Sequence, residues 1–524
     1  MDLHDKRPKN IIVCADGTGN KGGSSPDSNV YRVYKMVNKY HSGPCKDGVD
    51  VNEQIIFYDN GIGTSKNKVI RAVSAGIGLG FKDNVCDLYK FIARNYRKND
   101  RIYFLGFSRG ASTVRACNGM ISKCGLVKSD GLGNSALQKQ VDNVYEVYKK
   151  HRAHPERAKK LKGDDDISWG AVDIEFLGVW DTVVALGFPK RTDITDPISG
   201  LLNITFAMLE KFFDILFPHN FYHYKLTDNV KYACQALAID DERTAFWPYV
   251  WQEKNIDGAK DRTPDNVNQV WFAGMHANVG GGYERDGLAG IPLHWLMKQA
   301  EEKGLVFNAD ADQLVKNSSH VHGRMYDTRL GLKMIYRYHP REIEKLCKNN
   351  EGKSILLDKI KIHSSVTERM FHRTANYAPT LIPSHFDVVD SNGHIELNPG
   401  SSDKWGRLKN TVDRIILKRK WLYSSVAALF LTIVGSTLYY WNYPAPSETK
   451  EYLSAFVEIL DYFTFDMFNN VFNVVIVKRP EIFLATLGLG LVYLYVRHVL
   501  REKLIVAGES MRRIIMEMLS EDKK

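Results

Sequence analysis

The sequence predicts a mostly parallel α/β sheet with helical insertions over residues 1–405, followed by a C-terminal transmembrane helical hairpin. Short apolar runs recur along the first region, and each is followed by a Gly-rich or Asp-bearing turn. The runs cover residues 10–14, 54–58, 101–105, 174–179 and 270–273. Continuous apolar strands of this length are typical of a sheet buried on both faces. Helix-like stretches lie between them, for example at 83–97 and 288–302, and this alternation favours parallel strands.

Residues 186–230 interrupt this alternation and are predicted to form an apolar insert or lid. Large apolar residues in this segment are spaced four and three apart, which makes one stripe of an amphipathic helix. They are Leu202, Phe206, Leu209, Phe213 and Leu216. Two interpretations remain open, a helix packed on the core and a lipid-facing cap.

Two apolar stretches near the C-terminus predict the transmembrane hairpin. Residues 421–441 form an uncharged run of 21 residues with aromatic residues at both ends. Such a run matches a hydrocarbon core of about 30 Å and its two interfaces. Residues 482–497 contain a shorter apolar run. We interpret it as a second span, with a re-entrant segment as the alternative.

The charges around these stretches predict the topology. Basic residues precede the first span in a juxtamembrane linker, 406–420, and follow the second span in a tail, 498–524, which has the pattern of an amphipathic helix. The hairpin loop between the spans, 442–481, carries acidic residues. The positive-inside rule therefore places the N-terminal domain and both termini in the cytoplasm, with the hairpin loop outside.

Composition argues against several classes of protein. The net charge is +10, but the basic residues are dispersed and lack interleaved stacking aromatics, so nucleic acid is not an expected partner. The seven cysteines are scattered and include no C-x-x-C pair, which argues against a disulfide framework or a zinc site. The N-terminus lacks the apolar region of a cleavable signal peptide. No metal ion or cofactor is predicted, and the oligomeric state is left open.

The pentapeptide Gly106-Phe107-Ser108-Arg109-Gly110 fits the pattern G-x-S-x-G. It follows an apolar run and precedes a helix-like segment, so it has the strand–turn–helix context of a nucleophile elbow. The turn crowds the neighbours of the nucleophile, and glycine two residues before and after the serine avoids clashes. This context predicts Ser108 as the nucleophile of an α/β-hydrolase-like domain.

A serine nucleophile needs a base, and the base needs a carboxylate that orients it. In this fold class the acid and then the histidine follow the serine along the chain. Asp181 and His276 each come directly after an apolar run and have that order. We predict them as the acid and the base, and His363 and His385 remain rival bases.

The transition state of acyl transfer needs two backbone N–H donors for its oxyanion. We predict one from Arg109 and the other from Gly17, with Asp16 and Thr18 lining the site in the loop after the first apolar run. Asp16 could instead be the nucleophile of a haloacid-dehalogenase-type phosphatase. That family has the pattern D-x-D-x-T, and the second acid is missing here.

Several motifs together resemble a bacterial and fungal α/β-hydrolase family of formerly unknown function that includes the phospholipase effectors of type VI secretion. They are the segments 14–20, 58–64, 106–111, 179–183, 238–243 and 276–283, with Phe246 and Trp251. The resemblance implies a Ser-Asp-His esterase that acts on phospholipids. The family usually has Asp where this chain has Asn278, a site-lining position, and an amide cannot form the ion pairs of a carboxylate.

These observations lead to a membrane-anchored serine ester hydrolase, with a phospholipase favoured. Its expected partners are a membrane lipid substrate and the bilayer itself. Two alternatives stay open: a tethered esterase or thioesterase with a soluble substrate, and a non-catalytic membrane scaffold with a degenerate hydrolase domain.

Overall fold

The computed structural model describes most of the predicted catalytic domain and two long C-terminal helices. The described residues are 7–23, 26–61, 80–183, 225–254, 262–263, 265–329, 338–397, 403–440 and 480–522. The predicted insert lies outside them except for residues 225–230, and so does the hairpin loop except for its last two residues.

A nine-stranded sheet lies at the centre of the domain, in the order β4-β1-β5-β6-β7-β8-β9-β10-β11. Every neighbouring pair is parallel except β10 and β11, so the predicted mostly parallel α/β sheet is confirmed. The strands are β1 Asn10–Ala15, β2 Gly43–Pro44, β3 Asp50–Val51, β4 Gln54–Asp59, β5 Arg101–Phe107, β6 Ile174–Trp180, β7 Val230–Ala238, β8 Val267–Phe272, β9 Ile360–His363, β10 Phe386–Val389 and β11 Ile395–Leu397. Strands β2 and β3 form a separate antiparallel pair.

Helices cover both faces of the sheet. In the described part of the chain they are α1 Asn29–Met36, α2 Phe81–Asn95, α3 Arg109–Cys124, α4 Asn134–Lys149, α5 Pro155–Lys162, α6 His276–Gly280, α7 Gly287–Glu302, α8 Ala311–Ser318, α9 Ile343–Leu346, α10 Ser364–Phe371, α11 Asp403–Tyr440 and α12 Pro480–Asp522. On β1, Ile11 and Val13 pack against α2 to α5, whereas Ile12 and Cys14 face α1, α7 and α8. Burial on both faces explains why the strands are continuous apolar runs.

The order of the strands brings two loops together at the carboxyl edge of the sheet. Strand β1 lies between β4 and β5. The chain therefore passes from β1 to β4 on one side and then crosses to β5 on the other side of β1. Ala15 at the end of β1 pairs with Gly106 near the end of β5. Open α/β sheets bind their ligands at such switch points, and the predicted nucleophile follows β5 directly.

The long helices α11 and α12 pack against each other and against the sheet. Val412 and Ile416 of α11 and Met511 and Ile515 of α12 are buried in one cluster with side chains of β7 to β10. Residues 406–420, predicted as a linker, therefore lie inside a helix that belongs to the core. The amphipathic pattern of residues 504–519 is explained by this packing.

Basic residues of α11 contact acidic residues of the sheet domain. Arg419 lies 3.1 Å from Glu242, and Lys420 lies 3.1 Å from Glu342. Lys409 pairs with Glu344. The sequence predicts these residues in a basic juxtamembrane linker, and the structure gives them acidic protein partners that fix α11 to the domain.

Within the described ranges, no helix is both long enough and apolar enough to cross a membrane. The two spans stay a prediction from the sequence.

Packing of α12 on the domain predicts that Ile515→Ala destabilises the catalytic domain. Ile515 is fully buried, and removing a buried Ile side chain to Ala costs about 2–5 kcal/mol. Urea unfolding of the purified full-length protein, followed by tryptophan fluorescence, measures this change. Arg513→Ala, at an exposed position of the same helix, is the control and should change the free energy of unfolding by less than about 0.5 kcal/mol. Equal effects of the two substitutions would contradict the packing.

Candidate active site

Ser108 lies in a sharp turn between β5 and α3. Its backbone has φ 58° and ψ −121°, a conformation that is strained for a residue other than glycine. The turn is held by hydrogen bonds, since the Ser108 N–H donates to the Trp180 carbonyl at 3.1 Å. This is the geometry of a nucleophile elbow, in which the serine projects from the edge of the sheet.

The two glycines of the pentapeptide are required by close backbone approaches. A Cβ atom at Gly106 would lie 2.8 Å from Cα of Ala111 in the following helix. A Cβ atom at Gly110 would lie 2.1 Å from the Ala15 carbonyl oxygen, at the end of β1. The second contact brings the loop after β1 next to Ser108, as the strand order requires.

His276 is the first residue of α6 and follows β8 by a short turn. Its Nε2 atom lies 2.8 Å from the Ser108 hydroxyl oxygen. The imidazole is buried between the rings of Phe107 and Phe246, with ring centroids 4.7 and 5.0 Å away. The aromatic contacts fix the ring plane so that one nitrogen faces the serine.

Asp181 completes the chain of hydrogen bonds from the end of β6. Its Oδ2 atom lies 2.5 Å from Nδ1 of His276. The side chain is fully buried, and its backbone has a positive φ of 41°, which turns it away from the strand direction. The structure therefore brings together all three residues that the sequence predicts as nucleophile, base and acid.

Arg341 is a residue of this site that sequence reasoning missed. Its guanidinium donates to both oxygens of Asp181, at 2.6 and 2.7 Å, and it is fully buried. The Ala238 N–H donates to the same carboxylate at 3.0 Å. Nothing in the sequence distinguishes this arginine from exposed ones, because its partner is 160 residues away.

The buried charges shift the pKa values of the two titratable groups. Burial opposes ionisation of Asp181, but the charge of Arg341 and hydrogen bonds from His276 and Arg341 outweigh it and hold the pKa of Asp181 well below its usual range. Burial also dominates at His276 and lowers its pKa below the ordinary 6.5, although the hydrogen bond to Asp181 opposes this shift. At neutral pH the imidazole is therefore neutral and able to accept a proton.

A second buried ion pair supports the backbone of His276. The His276 N–H donates to Asp241 at 3.2 Å, and Asp241 is held by the Arg243 guanidinium at 2.7 and 3.0 Å. Arg243 also lies over the Phe246 ring, 3.5 Å from its centroid. Asp241 and Arg243 belong to the 238–243 motif, so the motif positions the histidine.

Gly17 and Arg109, the predicted oxyanion donors, both adjoin the serine. A Cβ atom at Gly17 would lie 3.1 Å from Cβ of Ser108. Its N–H donates to Oδ1 of Asp16 at 2.6 Å. Arg109 is the first residue of α3 and directly follows Ser108.

The Asp16 carboxylate organises the loop after β1. It accepts hydrogen bonds from Asn20 at 3.0 Å, from Tyr58 at 2.6 Å and from Ser28. Its side chain thus holds the loop in place, and its predicted position lining the site stays a prediction. The neighbouring Thr18 has a buried hydroxyl oxygen with no hydrogen-bond partner among the described residues.

Asn278, also predicted to line the site, holds a second loop. Its side-chain Nδ2 donates to the Arg324 carbonyl at 3.1 Å, and its Oδ1 accepts from the Met275 N–H at 3.2 Å. A carboxylate could not donate the first of these bonds. The Asn278 amide therefore has a structural role in this chain, which could not be inferred from the difference between this position and the family pattern.

The two rival histidines lie elsewhere. His363 caps α10 by accepting from the Ser365 N–H at 3.1 Å, and burial lowers its pKa to about 3. Its ring stacks on Phe272 at a centroid distance of 4.7 Å. His385 is exposed and contacts Ser384 at 3.0 Å.

The contact of Arg341 with Asp181 predicts the pH dependence of ester hydrolysis. A base must be neutral, so kcat/KM is lost as pH falls through the pKa of His276. In the wild type this acid limb should lie below pH 6.5, because burial lowers that pKa. Arg341→Met should move the limb to higher pH, because the imidazolium alone then compensates the Asp181 charge.

The measurement is a pH profile on a fluorogenic short-chain ester, with folding checked by circular dichroism. Arg341→Lys is the matched variant. It should shift the acid limb of the pH profile less, because it keeps the positive charge but loses the bidentate contact with Asp181. A variant that loses activity equally at every pH would contradict an electrostatic role.

Comparisons with known proteins place this site in a family. The family model described as "T6SS, Phospholipase effector Tle1-like, catalytic domain" matches residues 9–299. The uncharacterized protein YEL023C of Saccharomyces cerevisiae is 27% identical in an alignment of 231 residues that covers 38% of this chain and only 32% of that protein.

Two solved structures also match over part of their lengths. An uncharacterized protein from Pseudomonas aeruginosa has a TM-score of 0.33 and 14% identity, over 80% of this chain and 60% of that one. The Tle1 effector bound to the VgrG spike of the type 6 secretion system has a TM-score of 0.26 and 19% identity, over 53% of this chain and 52% of that one. The family model covers more than half of the 524 residues, including positions 108, 181 and 276. The chain therefore belongs to the family of Tle1-like phospholipase effector catalytic domains, and its catalytic domain is that of a serine ester hydrolase.

Proposed function

We propose that this chain is a membrane-anchored phospholipase that cleaves carboxylic ester bonds of membrane lipids. The observation that carries the proposal is the hydrogen-bonded chain from Asp181 through His276 to Ser108, with distances of 2.5 and 2.8 Å. These three side chains lie at the carboxyl edge of the sheet, where the family motifs converge. Family membership supports a phospholipid as the substrate.

In the proposed reaction, His276 takes the proton of the Ser108 hydroxyl as its oxygen attacks the ester carbonyl carbon. The tetrahedral intermediate collapses, the bond to the leaving alcohol breaks, and His276 gives the proton to that alcohol. A water molecule, deprotonated by His276, then attacks the acyl-enzyme. The second tetrahedral intermediate collapses, the bond between the acyl carbon and the Ser108 oxygen breaks, and His276 returns the proton to that oxygen as a fatty acid is released.

Asp181 keeps its negative charge throughout this cycle. It orients the imidazole and stabilises the imidazolium, and it takes no proton itself. The Arg341 guanidinium favours the ionised form of Asp181. It also occupies one hydrogen-bond acceptor position on each carboxylate oxygen. Arg341 is therefore a positioning residue, which acts on the reaction through Asp181.

The oxyanion would be bound between the start of α3 and the loop after β1. The Arg109 N–H is one donor. The Gly17 N–H points to Asp16 in this structure, so it serves only if it is shared with the substrate oxygen. The Thr18 hydroxyl, which lacks a partner among the described residues, is a second donor available in the same loop.

Exposed apolar side chains on α12 support the membrane anchor. Seven side chains in the first 16 residues of this helix are 50–70% exposed. They are Leu484, Leu487, Leu489, Leu491, Val492, Leu494 and Tyr495. Apolar residues on several sides of one helix are costly in water and suit an apolar environment. The anchor, with the catalytic domain and both termini on the cytoplasmic side, would hold the active site at a lipid surface.

Substitution of Ser108 and of His276 tests the mechanism. Ser108→Ala and His276→Ala should each lower kcat by a factor on the order of 10⁴ to 10⁶, and the double variant should lose little more, because the residues act as a unit. The assay follows fatty-acid release from phospholipid vesicles. A fluorophosphonate probe should label the wild type and leave Ser108→Ala unlabelled.

His363→Ala is the matched control, because His363 is also a buried histidine at the end of a strand. It should keep most of the turnover once folding is confirmed. An inactive His363→Ala variant together with an active His276→Ala variant would overturn the choice of His276 as the base. Hydrolysis of short soluble esters without hydrolysis of vesicle lipids would favour the tethered esterase, and no labelling of the wild type would favour a scaffold.

Thiol labelling in intact cells tests the hairpin topology. All seven native cysteines are buried in the described structure, so a new exposed cysteine reports its own location. In Ser454→Cys, within the predicted external loop, a membrane-impermeant maleimide should react from outside. In Ser520→Cys, at an exposed position of α12, it should react only after permeabilisation. Labelling of both variants only after permeabilisation would contradict the hairpin.

A further inference from the structure

A cluster of three exposed side chains lies outside the proposed active site. It consists of His322, Glu368 and His372, and their candidate ligand atoms all lie within 4.8 Å of one another. Among the residues that the structure describes, no second cluster of three or more possible metal ligands is found. The family motifs include none of the three residues.

Two of these residues are placed by one helix. Glu368 lies in α10, and His372 follows as its C-terminal cap, four residues later. Residues four apart in a helix lie on the same face, and this spacing recurs in helical zinc sites. A single turn of helix thus presents a carboxylate and an imidazole side by side.

The third residue comes from a loop that is clamped onto the same helix. Arg369 of α10 is 1% exposed and donates to the carbonyl groups of Val321 and Gly323, at 2.6 and 3.0 Å. These two carbonyls flank His322. The backbone on both sides of His322 is therefore fixed relative to α10 by a buried side chain.

His322 also has the partner that an oriented ligand requires. Its Nδ1 atom lies 2.6 Å from the Thr374 hydroxyl oxygen, which leaves Nε2 available. Metal-binding histidines usually use their second ring nitrogen in this way, because the bond fixes the ring and its tautomer.

We propose that His322, Glu368 and His372 bind Zn²⁺. Two imidazoles and one carboxylate are a ligand set that zinc uses, with water in the fourth position. In a tetrahedral site with zinc bonds of about 2.1 Å, two ligand atoms lie about 3.4 Å apart. The candidate ligand atoms, all within 4.8 Å of one another, would close to this separation by rotation of the exposed side chains.

The ion would cross-link α10 to the loop that supports the helix of His276. Two residues beyond His322, the Arg324 carbonyl accepts from Asn278 at 3.1 Å. Tyr326 then stacks on Tyr283, with ring centroids 4.0 Å apart. Because zinc would bind only the folded arrangement, it should stabilise this side of the domain.

Zinc titration of the full-length protein, in competition with a chromophoric chelator at neutral pH, tests the site. The wild type should bind one equivalent tightly. Thr374→Val should weaken binding by about 10–100-fold, the usual cost of losing an orienting partner. His322→Ala and His372→Ala should each weaken it by more than that.

His320→Ala is the matched control, since His320 is an exposed histidine of the same loop and lies outside the cluster. It should bind zinc like the wild type, and zinc should raise the melting temperature of both. That increase should be absent in the doubly substituted His322→Ala/His372→Ala. The proposal would be overturned if the wild type bound no equivalent of zinc tightly, or if the double variant bound zinc as tightly as the wild type.

Discussion

The buried carboxylate of Asp181 is the group on which the rest of the site depends. An isolated buried carboxylate would become neutral, because burial penalises the charge. Arg341 prevents this by contacting both oxygens, and the Ala238 N–H and His276 supply further hydrogen bonds. One fully buried anion thus joins the ends of β6 and β7, helix α6 and the segment before α9. Removing any one donor leaves part of its charge unpaired, so the elements are held in a single arrangement.

The same interaction links the site to the C-terminal helices. Arg341 lies between His339 and Glu342, and both of these contact Lys420 of α11 at 2.8 and 3.1 Å. Arg419 adds a hydrogen bond to Tyr338 at 2.9 Å. Helix α11 therefore braces the segment that carries the partner of Asp181. If residues 421–440 of α11 form part of a membrane span, as the sequence predicts, the orientation of the proposed anchor and the geometry of the acid are physically coupled.

The sequence by itself determined the elements whose signals are local. Strands buried on both faces must be continuous apolar runs, so the sheet could be predicted from residues 10–14 and 101–105 without knowledge of their neighbours. The elbow around Ser108 needs small residues at fixed spacing, because backbone crowds it on both sides. The order of serine, acid and histidine then selected Asp181 and His276 from many candidates, since each lies just past the end of a strand.

Only the tertiary structure decided which distant groups meet. Arg341, the clamp by Arg369 and the loop contacts of Asp16 and Asn278 join residues far apart in sequence, and their residue types are equally common on surfaces. The basic segment 406–420 has the composition of a linker beside a membrane, yet its apolar residues complete the core and its charges find acidic partners. A local sequence pattern indicates which residues of a segment are buried and how they are spaced along a helix or strand. The identity of a charged residue's partner depends on how the strands are ordered, and that order arises only when the whole sheet assembles.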